Sequence, residues 1–126
     1  MAIKYSLIEK INPADLSMPK KIYAVNKSSG ELSLRQLSKR IADISTVSSI
    51  DTMAVLEALV QVIPEELSDG NIVRLGDFGS FYAKIKSNGA ETEDDFNSSY
   101  IVNTRIRFRP GSQLNKVIND VEYQKA

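Results

Sequence analysis

Cysteine, histidine and tryptophan are all missing from this chain, and only 7% of its residues are aromatic. Without cysteine there is no disulfide and no thiolate chemistry, and without histidine the usual proton shuttle near neutral pH and the commonest metal ligand are lost. Hydrolases built on Cys–His or Ser–His pairs and most metalloenzymes are thereby disfavoured. No catalytic residue, metal or cofactor is called for, and an enzyme is not expected. Long hydrophobic runs are lacking too. No apolar stretch approaches the roughly 18 residues of a membrane span, and the N-terminus has no uninterrupted apolar leader, so a cytoplasmic protein without membrane contact is expected. The last absence is net charge: 16 Lys and Arg balance 16 Asp and Glu, whereas a nucleic-acid-binding domain is ordinarily basic.

The balance conceals a segregation. Residues 1–30 carry five Lys against two acids, residues 31–70 three bases against seven acids, and residues 71–89 three bases against one acid. Residues 90–98 carry four acids and no base, and residues 99–126 five bases and two acids. A neutral total of this kind can hide a basic face. With 126 residues the chain reads as one domain, long enough to bury about two thirds of its unfolded surface without staples.

Residues 3–11 and 21–25 alternate apolar and polar side chains and predict two strands, separated by a polar turn after Asn12-Pro13 and closed by Lys27-Ser28-Ser29-Gly30. Ser33 is a good N-cap with Gln36 at the capping-box position, and Leu34, Leu37, Ile41 and Ile44 mark one face of a first helix. Ser48 or Ser49 caps a second, whose Met53, Leu56, Leu59, Val60 and Ile63 form a wide apolar stripe; Pro64 should kink it or end its regular part. Asp69-Gly70 turns the chain into a strand over residues 72–75. Further strands are expected at 81–86 and 100–109, joined by a polar loop, and a last helix at 112–121 with Leu114, Val117, Ile118 and Val121 inward.

Two stretches stand out. Arg74-Leu75-Gly76-Asp77-Phe78-Gly79-Ser80-Phe81 reads as a tight β corner, with glycines that permit unusual backbone and phenylalanines worth about 2 kcal/mol each if buried. In Arg105-Ile106-Arg107-Phe108-Arg109-Pro110-Gly111 strict alternation puts three arginines on one strand face and Ile106 and Phe108 on the other. Glycine-aromatic corner, ribbon, Phe108-Arg109-Pro110-Gly111 and a terminal helix through Leu114 together resemble the HU/IHF family of bacterial histone-like DNA-binding proteins. The resemblance spans residues 32–121.

That resemblance implies an α+β, HU-like fold: a helical hairpin, a three-stranded antiparallel ribbon sheet and a C-terminal helix, in an intertwined dimer with itself or with a relative. Residues 1–31 would be an added N-terminal β segment, as in a longer HU-related branch, widening the sheet or covering an edge. The implied function is nucleoid-associated, sequence-tolerant binding of duplex DNA. Arg74, Arg105, Arg107 and Arg109 would neutralise phosphates, flanked by Lys84 and Lys86, with Ser112 and Lys116 on the last helix as further contacts. Ser112 would cap that helix and offer backbone N–H groups to a phosphate.

The chain departs from the family in its arm. Residues 87–103 are short, contain no proline wedge and carry Glu91, Glu93, Asp94 and Asp95, which repel a phosphate backbone. Phe96 and Tyr100 are the aromatic candidates for insertion, with Phe96 better read as ordering its own loop. The four carboxylates lack the glycine and ligand spacing of a calcium loop, and a solvated loop or a protein contact is the plainer account. An alternative function follows: a dimeric protein-interaction module on an HU scaffold that has lost DNA binding. The arginines discriminate, because arginines exposed on one concave surface favour DNA, whereas arginines paired with Glu91, Glu93, Asp94 and Asp95 favour the alternative.

Overall fold

The structure, a computed structural model, describes residues 2–126. They divide into two compact units, one from both ends of the chain (Met1–Ser33 with Val117–Ala126) and one from Leu34–Lys116.

In the middle unit, helix α1 (Leu34–Asp43) follows Ser33 and turns Leu34, Ser38 and Ile41 away from solvent, while Ile44 lies past its end and is 87% exposed. Helix α2 (Ser49–Ser68) starts where the Ser48 hydroxyl accepts the Asp51 N–H at 3.1 Å, and Asp51 adds a negative charge beside the helix's positive end. Pro64 sits inside α2, which continues to Ser68. There the Gly70 N–H bonds the Leu67 carbonyl and the Asn71 N–H the Glu66 carbonyl, both at 3.0 Å, with Gly70 at φ 85°. This is the helix stop that needs a left-handed residue, and glycine takes that conformation without a Cβ penalty. Buried Ser38 and Thr52 donate their hydroxyls to the carbonyls of Arg35 and Ser48, so burying them leaves no unpaired donor.

Strands β3 (Val73–Arg74), β4 (Gly79–Ser87) and β5 (Ile101–Pro110) form an antiparallel sheet in the order β3-β4-β5. The corner joining β3 to β4 is closed by the Leu75 N–H on the Gly79 carbonyl (2.9 Å) and the Phe78 N–H on the Leu75 carbonyl (3.1 Å), with Gly76 at φ 55°. Phe108 lies 5.8 Å from Phe78 and 4.8 Å from Phe81, ring centre to ring centre. Helix α3 (Ser112–Asn119) hooks onto the corner: the Gly111 N–H bonds the Phe78 carbonyl (2.8 Å) and the Gln113 N–H the Asp77 carbonyl (3.2 Å). In α3 only Leu114 is half-buried. Val117 and Ile118, expected inward, are 62% and 59% exposed because nothing in a single chain covers them.

The other unit is a second sheet, ordered β2-β1-β6. Strand β1 (Ala2–Lys10) pairs antiparallel with β2 (Lys21–Asn26) and parallel with β6 (Glu122–Lys125). In the intervening turn Asp15 accepts from the hydroxyl and N–H of Ser17, which holds its carboxyl below the ordinary carboxylate range. The N-terminal strands do not widen the ribbon sheet. They form a sheet of their own with the last strand, which sequence reasoning missed.

Adding a methyl group at Gly79 drives it into the Phe108 ring and the Arg109 carbonyl, whereas at Gly76 the space is open and only the left-handed backbone resists. Gly79→Ala should cost about 2–3 kcal/mol and Gly76→Ala about 1–2, read from thermal unfolding followed by circular dichroism. Equal losses would show that the Phe108 contact gives way freely.

Candidate nucleic-acid interface

The register of β4 against β5 decides which side chains share a face. Phe81 faces Phe108, Ala83 faces Ile106 and Ile85 faces Thr104, so one face is apolar. On the other, Ser80 faces Arg109, Tyr82 faces Arg107, Lys84 faces Arg105 and Lys86 faces Asn103. Strand β3 extends the row, because Arg74 stands opposite Ser80 and its guanidinium reaches the Ser80 hydroxyl at 3.5 Å. Arg74, Lys84, Lys86, Arg105, Arg107 and Arg109 therefore lie on one sheet face, all exposed. Alternate residues along a strand repeat every 6.5–7 Å or so, so the cations form a band rather than a point.

Lys84 and Arg105 are direct cross-strand neighbours of like charge, an arrangement that costs a few tenths of a kcal/mol or more unless an anion relieves it. Among the described residues no carboxylate engages any of the six cations. The arginines are exposed together and not paired with Glu91, Glu93, Asp94 or Asp95.

Ser112 and Lys116 lie on α3 and not on the strands of the band. The helix begins at Ser112 itself, with Gly111 at the position ahead, where its carbonyl accepts the Asn115 N–H at 3.1 Å. Ser112 is thus the first helical residue and not the N-cap, and Lys116 follows one turn later on the same side, in the last turn, where a cation suits the helix's negative end. Sequence reasoning also missed Tyr82 and Asn103, which complete the charged face. Their parity along the strands is the only signal, and it becomes readable once the register is known.

The ladder ends irregularly. Lys86 pairs Asn103 but Ser87 pairs Ile101, leaving Val102 as a bulge. Beyond it residues 88–100 form a short loop, so both strands run into the stretch expected as arm. Phe96 stacks on Tyr100 (5.2 Å between centres, 26° between planes) and orders its own loop. The Asp95 N–H bonds the Thr92 hydroxyl, the Phe96 N–H the Glu93 carbonyl and the Ser99 N–H the Asn97 side chain. Glu91, Glu93, Asp94 and Asp95 are exposed, and among the described residues no group of acids is gathered to hold a metal.

The apolar face of the sheet is equally uncovered. An open cavity of about 680 Å³ lies between the end of α2 and this face, lined by Ile63, Pro64, Leu67, Phe81, Ile85 and Ile106 among others. Leu67 is the only buried apolar residue among those described, and Ile85 and Ile106 are 59% and 57% exposed.

Residues 1–125 match the family described as an HU domain fused to a winged helix-turn-helix, Ig or glycine-rich motif, HU-HIG. A crystal structure from Bacteroides vulgatus ATCC 8482, provisionally described as a bacterial DNA-binding protein, is similar with a TM-score of 0.63 and 15% identity. It matches over 98% of this chain and 47% of its own, so this chain spans about half its length. HU from Anabaena, crystallised with DNA, is similar with a TM-score of 0.56 and 20% identity over 71% of this chain and 99% of its own. No curated protein sequence matches the chain. The two structures share the fold.

If the Lys84–Arg105 opposition is uncompensated in the free protein, Lys84→Glu turns repulsion into attraction. Its melting temperature should rise by about 1–4 °C, corresponding to about 0.2–1 kcal/mol. An unchanged or lower melting temperature would show that the charges are already relieved.

Proposed function

The chain belongs to the HU-HIG family, and from that premise we propose that it binds duplex DNA with little regard to sequence, as a nucleoid-associated protein, through the cation band of its ribbon sheet. The observation that carries this reading is the set of six exposed cations, two of them opposed across strands without a carboxylate. Such a face is stabilised by an anion with many charges. Arginine forks bind phosphate oxygens bidentately, each phosphate neutralised releases condensed counterions, and neither step reads base identity.

Bending is a lesser part of the mechanism. Architectural proteins of this class kink DNA with wedges at the end of basic arms. Here the arm ends in four carboxylates and contains no proline, and Phe96 is spent on Tyr100. The duplex is held at the band and repelled at the tip.

Two copies make the binding unit. A single chain leaves Ile85, Ile106, Val60 and Val117 largely in water, and a second copy, or a relative of the same shape, covers them and sets two cation bands side by side. Obligate assembly of this kind couples folding to association, so the melting temperature should climb with protein concentration. A value constant over about a hundredfold range, with the mass of one chain, would remove the dimer.

Fluorescence anisotropy of a labelled duplex across a salt series tests the DNA reading. If three arginines from each of two copies reach phosphates, the log–log slope is about −5, and Arg105→Ala/Arg107→Ala leaves about −2. Absence of binding at low salt by a folded sample would remove the reading.

A further inference from the structure

The protein carries two unneutralised poles on one ribbon. The band from Arg74 to Lys86 has no carboxylate partner among the described residues, and neither have Glu91, Glu93, Asp94 and Asp95 at the ribbon's end. The two do not meet within one chain. The β4–β5 ladder stays paired up to Ser87 and Ile101, and the Asn88 N–H on the Tyr100 carbonyl (2.8 Å) closes the loop directly beyond it. From Asn103 to Arg109 the strand rises about 20 Å, so folding the loop back onto the band would require the ladder to break. The loop is also ordered in advance by the Thr92, Glu93 and Asn97 bonds and the Phe96–Tyr100 stack. Little conformational freedom is lost when it docks.

We infer that the cation band of one copy takes the acidic loop of a second copy, so that the chain associates with itself beyond the dimer through the surface proposed to meet phosphate. Charge complementarity selects this occupant. The loop offers four carboxylates within five residues, and guanidinium groups pair with carboxylates as they do with phosphates. A chain of zero net charge has no overall repulsion to keep copies apart. The contact is exposed, hence weak at physiological ionic strength and strengthened as salt falls. DNA and the loop compete for one surface, so free protein self-associates and duplex disperses it.

Sedimentation velocity without DNA tests this independently of DNA binding. At about 10 mM salt, where charges are felt over about 30 Å, the weight-average mass of the natural chain should rise by half or more above its value at about 150 mM, where the range is about 8 Å. Glu91→Gln/Glu93→Gln/Asp94→Asn/Asp95→Asn and Arg105→Ala/Arg107→Ala should each keep their high-salt mass when alone. Mixed, they should regain the heavier species, since one retains the band and the other the loop. Glu31→Gln/Asp43→Asn/Glu57→Gln/Glu65→Gln makes the same change in net charge elsewhere and should still associate. Four results overturn the inference: a salt-independent mass for the natural chain, undiminished association of the loop variant, no recovery in the mixture, or equal loss in the charge-matched control.

Discussion

Two backbone hydrogen bonds hold the middle unit to one geometry. The carbonyls of Asp77 and Phe78, at the β corner, accept the N–H groups of Gln113 and Gly111, where the arginine strand gives way to α3. The corner and the far end of β5 are thereby fastened together, and the Phe78, Phe81 and Phe108 rings fill the angle between them. Glycine at 79 and 111 is a spatial requirement: a Cβ at Gly79 would enter the Phe108 ring, and one at Gly111 would strike the Asp77 carbonyl. With the corner fixed, the pairing of Phe81 with Phe108 is fixed. Every later pair follows from it by twos, and that alternation places Arg105, Arg107 and Arg109 beside Lys84 and Tyr82.

The same register gives the sheet two unsatisfied faces of opposite character. The face of Phe81, Ile85 and Ile106 needs apolar cover, and the face of Lys84, Arg105 and Arg107 needs negative charge. Few apolar side chains close a core among the described residues, so in the proposed dimer most hydrophobic stabilisation comes from association. The two demands point in opposite directions, so the dimer partner proposed for the apolar face would not compete with the anion proposed for the charged one.

Much of this was legible in the sequence because it rests on short-range rules. Strict alternation from Arg105 to Arg109 fixed the faces of β5, the Ser48-Ser49 pair announced α2, with Ser48 proving to be the cap, and the glycine-phenylalanine spacing marked the corner. What escaped depends on distant partners. Residues 122–125 have too little alternation to announce a strand, and their partner lies at the opposite end of the chain. Tyr82 joined the charged face only through its register with Arg107. Val117 and Ile118 have the spacing of an inward face, yet sequence periodicity does not say whether the cover belongs to the same chain. Ser112 was read as a cap because serine favours that position, but the Gly111 hook moves the helix start by one residue.

The parallel pairing of β6 with β1 has a consequence in time. Ala2 to Tyr5 leave the ribosome well before their partners Glu122 to Lys125. Until those partners emerge β1 can pair only with β2, as a two-stranded hairpin of marginal stability with one edge open. The β2-β1-β6 sheet is therefore completed after the corner, ribbon and helices are already available to fold, and β6 serves as a latch that closes only once the middle unit has been made.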